Sequence, residues 1–521
     1  MSSCPNKVDG FIQGQVSRLV VPFSFKMGYG DACLSFTRSS GEKVSHWKPQ
    51  DFSKEKLFQH IDRLIDASGD CSETIGRRFV LGQEGRSGYG LPHTRNTPVY
   101  VQSKGIELQL FIHDVEIILF ETNVGFVIFG LEYGKSDSVE TMIDGNYLCK
   151  NFSRHDINLF YRQKYYQETK QIDINLGRIA GEITKHLDVL SFFDNKVQPA
   201  NRLAASHALV FNAVILDKEF SKKNDFMHEL KKYLFFMRRS FKGSYKPAPA
   251  EFEIENNPEV MQFFENSYWG VSLEGLANIV YLVDDENTNK FFMGGYSGNL
   301  KNTYFYLYIL ALHQKYALMQ FFSTATQLPY TDSALADPDN TLLDELNSLR
   351  RKIAHFIMRS YFGQVSNITH QKKLYEAIRQ TLGIREMLDE LHFELEQLAA
   401  LTEMEEQKRL AAQRLEQKLI REEEQKQLAA QRLIQEELRA AENRRDNKFQ
   451  KFIAVITTVF VLISTAQVVW EMYIYVSSQQ YPALFSRTFW YMVVPFAFLC
   501  LITVYGVVYF TRSQGGRKPD H

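Results

Sequence analysis

The chain has 521 residues, enough for two or three structural units and a sizeable core. Its 60 Lys and Arg balance 61 Asp and Glu, which excludes a globally basic nucleic-acid binder, so no direct nucleic-acid partner is expected. Its five cysteines, Cys4, Cys33, Cys71, Cys149 and Cys500, form no CxxC pair, which argues against a disulfide framework or a structural zinc site and suits a reducing cytosol.

The opening segment, MSSCPNKVDG, has no apolar stretch of the kind a cleaved signal peptide needs, so the bulk of the chain is expected in the cytosol. Residues 1 to about 200 read as mainly β. SRLVVPFSF, RRFVLG, PVYVQ, IELQLFIHDVEIILFE and GFVIFGLEYG are rich in β-branched and aromatic residues, and Thr122-Asn123-Val124-Gly125 reads as the hairpin turn between the last two.

Helices are expected at about Lys222–Arg239, Asn302–Thr324 and Thr341–Tyr361, with GLANIVYLVDD and KFFMGGYSG as further strands. Asn302–Gln327 is long and apolar, but His313, Gln314 and Lys315 interrupt its centre, so it reads as a buried helix. Together these elements predict an α/β or α+β cytosolic sensor domain over 1–340, followed by connecting helices over 341–384.

The chain carries no Walker A, HExxH, GxSxG or EF-hand loop, and its thirteen histidines are dispersed, so it is not expected to be an enzyme and any metal ligands stay unknown. The strongest ligand-site candidate is GRRFVLGQEGRSGYGLPHTR, Gly76 to Arg95. Its glycines let backbone amides approach an anion, while Arg77, Arg78, Arg86 and Arg95, with Tyr89 and His93, supply charge and donors for a phosphate or nucleotide. An ordinary arginine-bearing loop is the competing reading. GGYSGN, Gly294 to Asn299, is a weaker second glycine turn.

Residues 385–450 form a stalk rich in Glu, Gln, Lys, Arg, Leu and Ala, with no Pro or Gly before Asn447, about 95 Å long as a straight helix. EEQKRLAAQRL (Glu405–Leu415) recurs as EEQKQLAAQRL (Glu423–Leu433), a period of 18 residues that leaves a thin stripe of leucines on a charged rod. A generic coiled coil is the plain alternative.

Two apolar runs follow, 451–476 and 488–511, joined by an outer link at 477–487 and followed by a basic tail at 512–521. Each reaches the roughly 20 residues that a lipid core requires. The Lys and Arg flanks predict a two-helix transmembrane hairpin in the inner (cell) membrane with both termini cytosolic and aromatic residues at the outer boundary. Asn443, Gln450, Thr457, Ser464 and Glu471 are spaced by sevens, so the first run is expected to line a pore shared by several copies of the chain. Hydroxyls bonded to their own helix carbonyls are the competing reading.

This layout, a soluble α/β domain, a stalk running into the first of two C-terminal spans and a short outer link, resembles the CorA-like metal transporters, although YIYVSSQQYPALF stands where that family has Gly-Met-Asn. The resemblance implies a homopentamer, with lipid as surroundings and a divalent cation as a conceivable cargo. LFETNVGFVIFGLEYG and YILALHQKYALM look like segments of the divergent branch associated with type III CRISPR systems. That implies an antiviral ion channel opened by an adenylate second messenger, either a cyclic oligoadenylate or an S-adenosylmethionine–AMP conjugate (SAM-AMP). The alternatives are a constitutive Mg/Co transporter and a membrane-tethered ligand-binding module with a non-conducting anchor.

Overall fold

A computed structural model describes residues 12–37, 46–67, 74–134, 137–165, 168–192, 207–242, 244–252, 257–328, 341–442 and 449–477, with scattered positions between 491 and 509. The chain divides into two compact units, 1–405 and 406–521.

Unit one is built on a mixed sheet. Its strands are β1 (Ile12–Phe25), β2 (Trp47–Pro49), β3 (Gly76–Leu81), β4 (Val99–Ser103), β5 (Ile106–Phe120), β6 (Val124–Glu132), β7 (Asn158–Tyr165), β8 (Glu168–Ile174), β9 (Val189–Ser191), β10 (Leu209–Leu216), β11 (Val260–Phe264), β12 (Ser267–Val271) and β13 (Gly275–Tyr281). The main path runs β11-β12-β13-β10-β1-β6-β5-β4-β7-β8, with β3 also on β5, β2 on β3, and β9 on the end of β1. Among the described strands only β10 and β13 pair in parallel.

Helices cover both faces. On one side lie α1 (Tyr29–Thr37), α3 (Val139–Lys150), α4 (Leu176–Thr184) and α5 (Phe226–Arg239); α2 (Gln59–Asp62) is a single turn on the other side. The short α6 (Glu286–Phe291) buries none of its residues, and that other side also holds α7 (Phe305–Thr326), α8 (Thr341–Ser360), α9 (Thr369–Thr381) and the first turns of α10 (Ile384–Glu442). Along β6, Val127, Phe129 and Leu131 enter the first core while Val124, Phe126 and Ile128 enter the second. Because both faces are buried, the central strands read as unbroken apolar runs rather than as alternations.

The expected α/β character and the five N-terminal strands are present. The connecting helices α8 and α9 share the sheet's second core, as do Ile384, Leu388, Leu391 and Leu395 of α10. From Phe305 to Leu318 every residue of helix α7 except Lys315 is buried, which explains its apolar composition without a membrane.

KFFMGGYSG is a correction. It is helical rather than a strand: α6 is capped by Asp285, whose side chain accepts from the Thr288 N–H, and π-helical turns follow at Phe292–Tyr296 and Leu300–Tyr304. Phe292, Tyr296, Leu300 and Tyr304, four residues apart, are all buried against the sheet. That spacing suits helical turns, two of which are widened to the π form, and never the two-residue period of a strand.

The C-terminal unit brings the larger correction. Residues Phe449–Ser477 form helix α11, but among the described residues no helix is long and apolar enough to cross a membrane. Thr457, Thr458, Ser464, Thr465, Gln467 and Glu471 punctuate α11, and most of 488–511 lies outside the described residues. This overturns the two-helix transmembrane hairpin, the CorA-like membrane architecture and the multi-pass inner-membrane location, and with them the description of the chain as a membrane ion channel. The link beyond Ser477, the basic tail, and the junction 443–448 between α10 and α11 lie outside the described residues.

Candidate functional site

The β5–β6 hairpin turn carries the polar triple Glu121-Thr122-Asn123 between two apolar strands. Asn123 takes the left-handed conformation, φ 62°, which a short polar side chain tolerates better than most. Its Nδ2 donates to the carbonyls of Phe25 (2.8 Å) and Met27 (3.0 Å), fastening the turn to the end of β1. Beneath the turn, Thr122 Oγ1 and His313 Nε2 are 2.9 Å apart. His313 sits on α7 with its ring stacked on Phe120 at 3.8 Å between centroids. Burial pushes its pKa down to about 3, so it is a neutral hydrogen-bonding group at ordinary pH.

The turn forms one wall of a cavity of about 310 Å3. Phe25 and Lys26 enter from β1 and the residue after it, and Gln320, Phe321 and Thr324 from α7. Leu349, Lys352, His355 and Phe356 enter from α8. Lys352, His355, Phe356 and Arg359 follow the i, i+3, i+4, i+7 spacing that places them on one helix face. Arg359 Nη1 donates to Glu121 Oε2 at 2.8 Å, and His355 Nδ1 lies 3.9 Å from Glu121 Oε1. That second oxygen is buried without a hydrogen-bond partner among the described residues. Burial raises the Glu121 pKa, and the nearby Arg359 and His355 only partly offset it. The cavity thus combines aromatic surface, neutral polar groups and cations from two separate elements with a single carboxylate among its lining residues.

The arginine–glycine segment is placed differently from this cavity, and most of its charge is committed inside the fold. Arg78 Nε donates to Glu116 Oε2 at 2.7 Å and its Nη1 to the Asp51 carbonyl at 3.1 Å. Arg18 approaches the same carboxylate at 3.8 Å. Burial alone would raise the Glu116 pKa, but Arg78 and Arg18 bring it below the ordinary value. Arg77 donates to the Ala67 carbonyl at 2.7 Å.

Arg86 is buried and fans its guanidinium onto the carbonyls of Pro92 (2.9 Å), Ile112 (2.7 Å) and His113 (3.2 Å). Tyr89 accepts from Trp47 Nε1 at 3.1 Å, Arg95 pairs with Asp114 at 3.2 Å, and His93 is exposed. Gly90, at φ 73°, ends the intervening 3-10 turn in a conformation that favours glycine. These side chains brace the loop against β5.

Of the heptad-spaced residues, Asn443 lies outside the described residues and Gln450 falls within α11. Thr457 Oγ1 donates to the Ile453 carbonyl and Ser464 Oγ to the Phe460 carbonyl, both at 2.9 Å, the self-bonding that helical hydroxyls commonly make. Glu471 is exposed. Among the described residues no group of three or more His, Cys, Asp or Glu is placed to hold a metal ion.

Sequence reading passed over Glu121, His313, Lys352, His355 and Arg359 as site residues. The signals were a polar triple in an otherwise apolar hairpin and a basic helix face, neither of which matches a named motif. No protein-family model matches the chain, and no curated protein matches it.

Proposed function

We propose that residues 1–405 form a receptor for a small phosphorylated ligand of the adenylate class, and that the chain is a ligand-responsive regulatory protein rather than an enzyme. One observation carries this reading: a cavity of about 310 Å3 offers Phe25, Phe321 and Phe356 for a planar base and Lys26, Lys352 and His355 for phosphate. Its size sits at the lower end of small-molecule sites, roughly 300–1,000 Å3. Thr122, Asn123 and Gln320 add polar groups that can orient a bound molecule.

The ligand class follows from the two segments that resemble adenylate-responsive defence effectors. LFETNVGFVIFGLEYG and YILALHQKYALM are distant in sequence, yet they meet at the Thr122–His313 contact of 2.9 Å, directly behind the cavity wall. A receptor of this kind acts through partners. The exposed Leu410, Leu415 and Leu419, answered by Leu428 and Leu433, favour a second copy of the chain as that partner.

The test is calorimetric titration of the intact chain with AMP, cyclic oligoadenylates and a SAM-AMP conjugate, with Lys352→Glu and His355→Glu beside the wild type. At least one adenylate should bind, and each introduced carboxylate should weaken it by tenfold or more, about 1.4 kcal/mol. Undiminished binding in both variants, or no adenylate binding at millimolar concentration, defeats the reading.

A further inference from the structure

The carboxylate in the cavity is in the wrong place for an anion receptor unless it has a task. Glu121 leaves its strand at the hairpin turn and lays one oxygen on Arg359 at 2.8 Å, while its other oxygen is buried with no hydrogen-bond partner among the described residues. A carboxylate held by one oxygen is poorly compensated for its lost hydration. The basic side chains around it come from two elements: Arg359, His355 and Lys352 from α8, and Lys26 just after β1. From α7 comes His313, reached through Thr122 and held neutral by burial.

We propose that Glu121 is an intramolecular competitor for the ligand phosphate: the carboxylate and the phosphate claim the same cationic face of α8, so that ligand binding requires Glu121 to give up its place or its charge. The inference rests on the cavity being the anion site, and it adds the element that sets the affinity threshold. A carboxylate tethered to the fold competes at high effective concentration, so it selects against weakly held monoanions in favour of ligands with more charge or an additional stacking group. The unbonded oxygen lowers the cost of the exchange, because moving Glu121 out of the cavity rehydrates an atom that has no partner where it is. The raised pKa of Glu121 acts in the same direction, since protonation removes the competitor without moving it.

The experiment compares the intact wild-type chain with Glu121→Gln and Glu121→Ala, titrated with AMP and, separately, with inorganic sulfate, whose charge is constant through the carboxylate range. Both variants should bind AMP about tenfold more tightly, the effect of removing one partly screened like charge. Wild-type affinity for sulfate should rise as pH falls through the range where Glu121 protonates, and that rise should be smaller in Glu121→Gln. Glu121→Gln removes the single carboxylate among the cavity's lining residues, so a rise that remains in that variant comes from other groups. Two variants guard against a local packing effect of either side chain. If both bind AMP and sulfate no more tightly than wild type, Glu121 is no competitor although the cavity reading stands. If no protein of the three binds either anion, and none binds a cyclic oligoadenylate or the SAM-AMP conjugate, the cavity reading falls and this inference with it.

Discussion

Thr122 at the tip of a β-hairpin and His313 in the middle of a buried helix are 191 residues apart in sequence and 2.9 Å apart in space. The pair joins the hairpin tip of the central sheet to the helix that fills its second core. Because His313 is buried and stacked on Phe120, it must stay uncharged for this contact to survive. That sets a pH limit on the fold.

The pKa of His313 falls from an unfolded value near 6.5 to about 3 in the folded chain. Its contribution is complete above about pH 6.5 and is lost as pH falls toward 3, at up to about 1.4 kcal/mol per pH unit. Denaturant unfolding at pH 7 and pH 5 should therefore show wild type losing about 2 kcal/mol more than His313→Gln over that interval. Equal losses would mean that the imidazole is solvated and protonated in place.

Glu121 runs the other way. Its folded pKa is raised, so its stabilising contribution exists at acidic pH and disappears as pH rises through the folded value. At neutral pH Glu121→Gln should melt at or above the wild-type temperature, with the difference closing under acid conditions. A lower melting temperature for the variant at neutral pH would show that the Arg359 ion pair outweighs the cost of burial.

The arginines of the glycine-rich loop make a contrasting prediction. Arg86→Ala strips donors from three carbonyls, a cost of about 3 kcal/mol or more, and Arg86→Lys should not recover it because an ammonium cannot span that fork. Arg78→Ala leaves the buried Glu116 with only Arg18 at 3.8 Å and should cost about 3–5 kcal/mol. Both losses are read from chemical denaturation. In conditions where these variants stay folded, AMP affinity should be unchanged; a selective loss of binding would restore the loop as a ligand site.

A glycine at the hairpin tests the packing of the turn. A Cβ at Gly125 would collide with the ring of Phe23, its cross-strand partner, so that fully buried ring would have to shift within the core. Gly125→Ala should cost about 1–3 kcal/mol by thermal or urea unfolding. An unchanged midpoint would mean that the Phe23 ring moves freely.

Much of the sheet was legible because its strands are long and rich in β-branched and aromatic residues, and because Thr122-Asn123 marks a turn between two of them. The order of strands was not legible. Pairing such as β1 with β10, or β10 with β13 in parallel, is decided by contacts across long separations that no local pattern encodes. KFFMGGYSG misled because aromatic content outweighed spacing: its buried positions recur every four residues. The arginine loop was visible as a cluster of charge, but charge alone does not say whether a guanidinium faces solvent or an internal carbonyl. Conversely, Lys352, His355 and Arg359 lie at helical spacing within the expected helix Thr341–Tyr361, and only the hairpin turn set opposite them distinguishes that face. The apolar runs near the C-terminus matched the length of a span, whereas among the described residues no helix is both long and apolar enough to cross a membrane.

The widened turns at Phe292–Tyr296 and Leu300–Tyr304 have a consequence for how this core tolerates changes in chain length. Each π turn holds one residue more than an α turn would need. Gly294, Gly295 and Gly298 have open space around them, so excising one removes no buried side chain. Loss of a single residue there would turn a four-residue step into a three-residue step, still on one helix face, leaving Phe292 and Tyr304 in register with the sheet. Here a deletion can be absorbed within a packed layer, where it would ordinarily scramble every contact downstream.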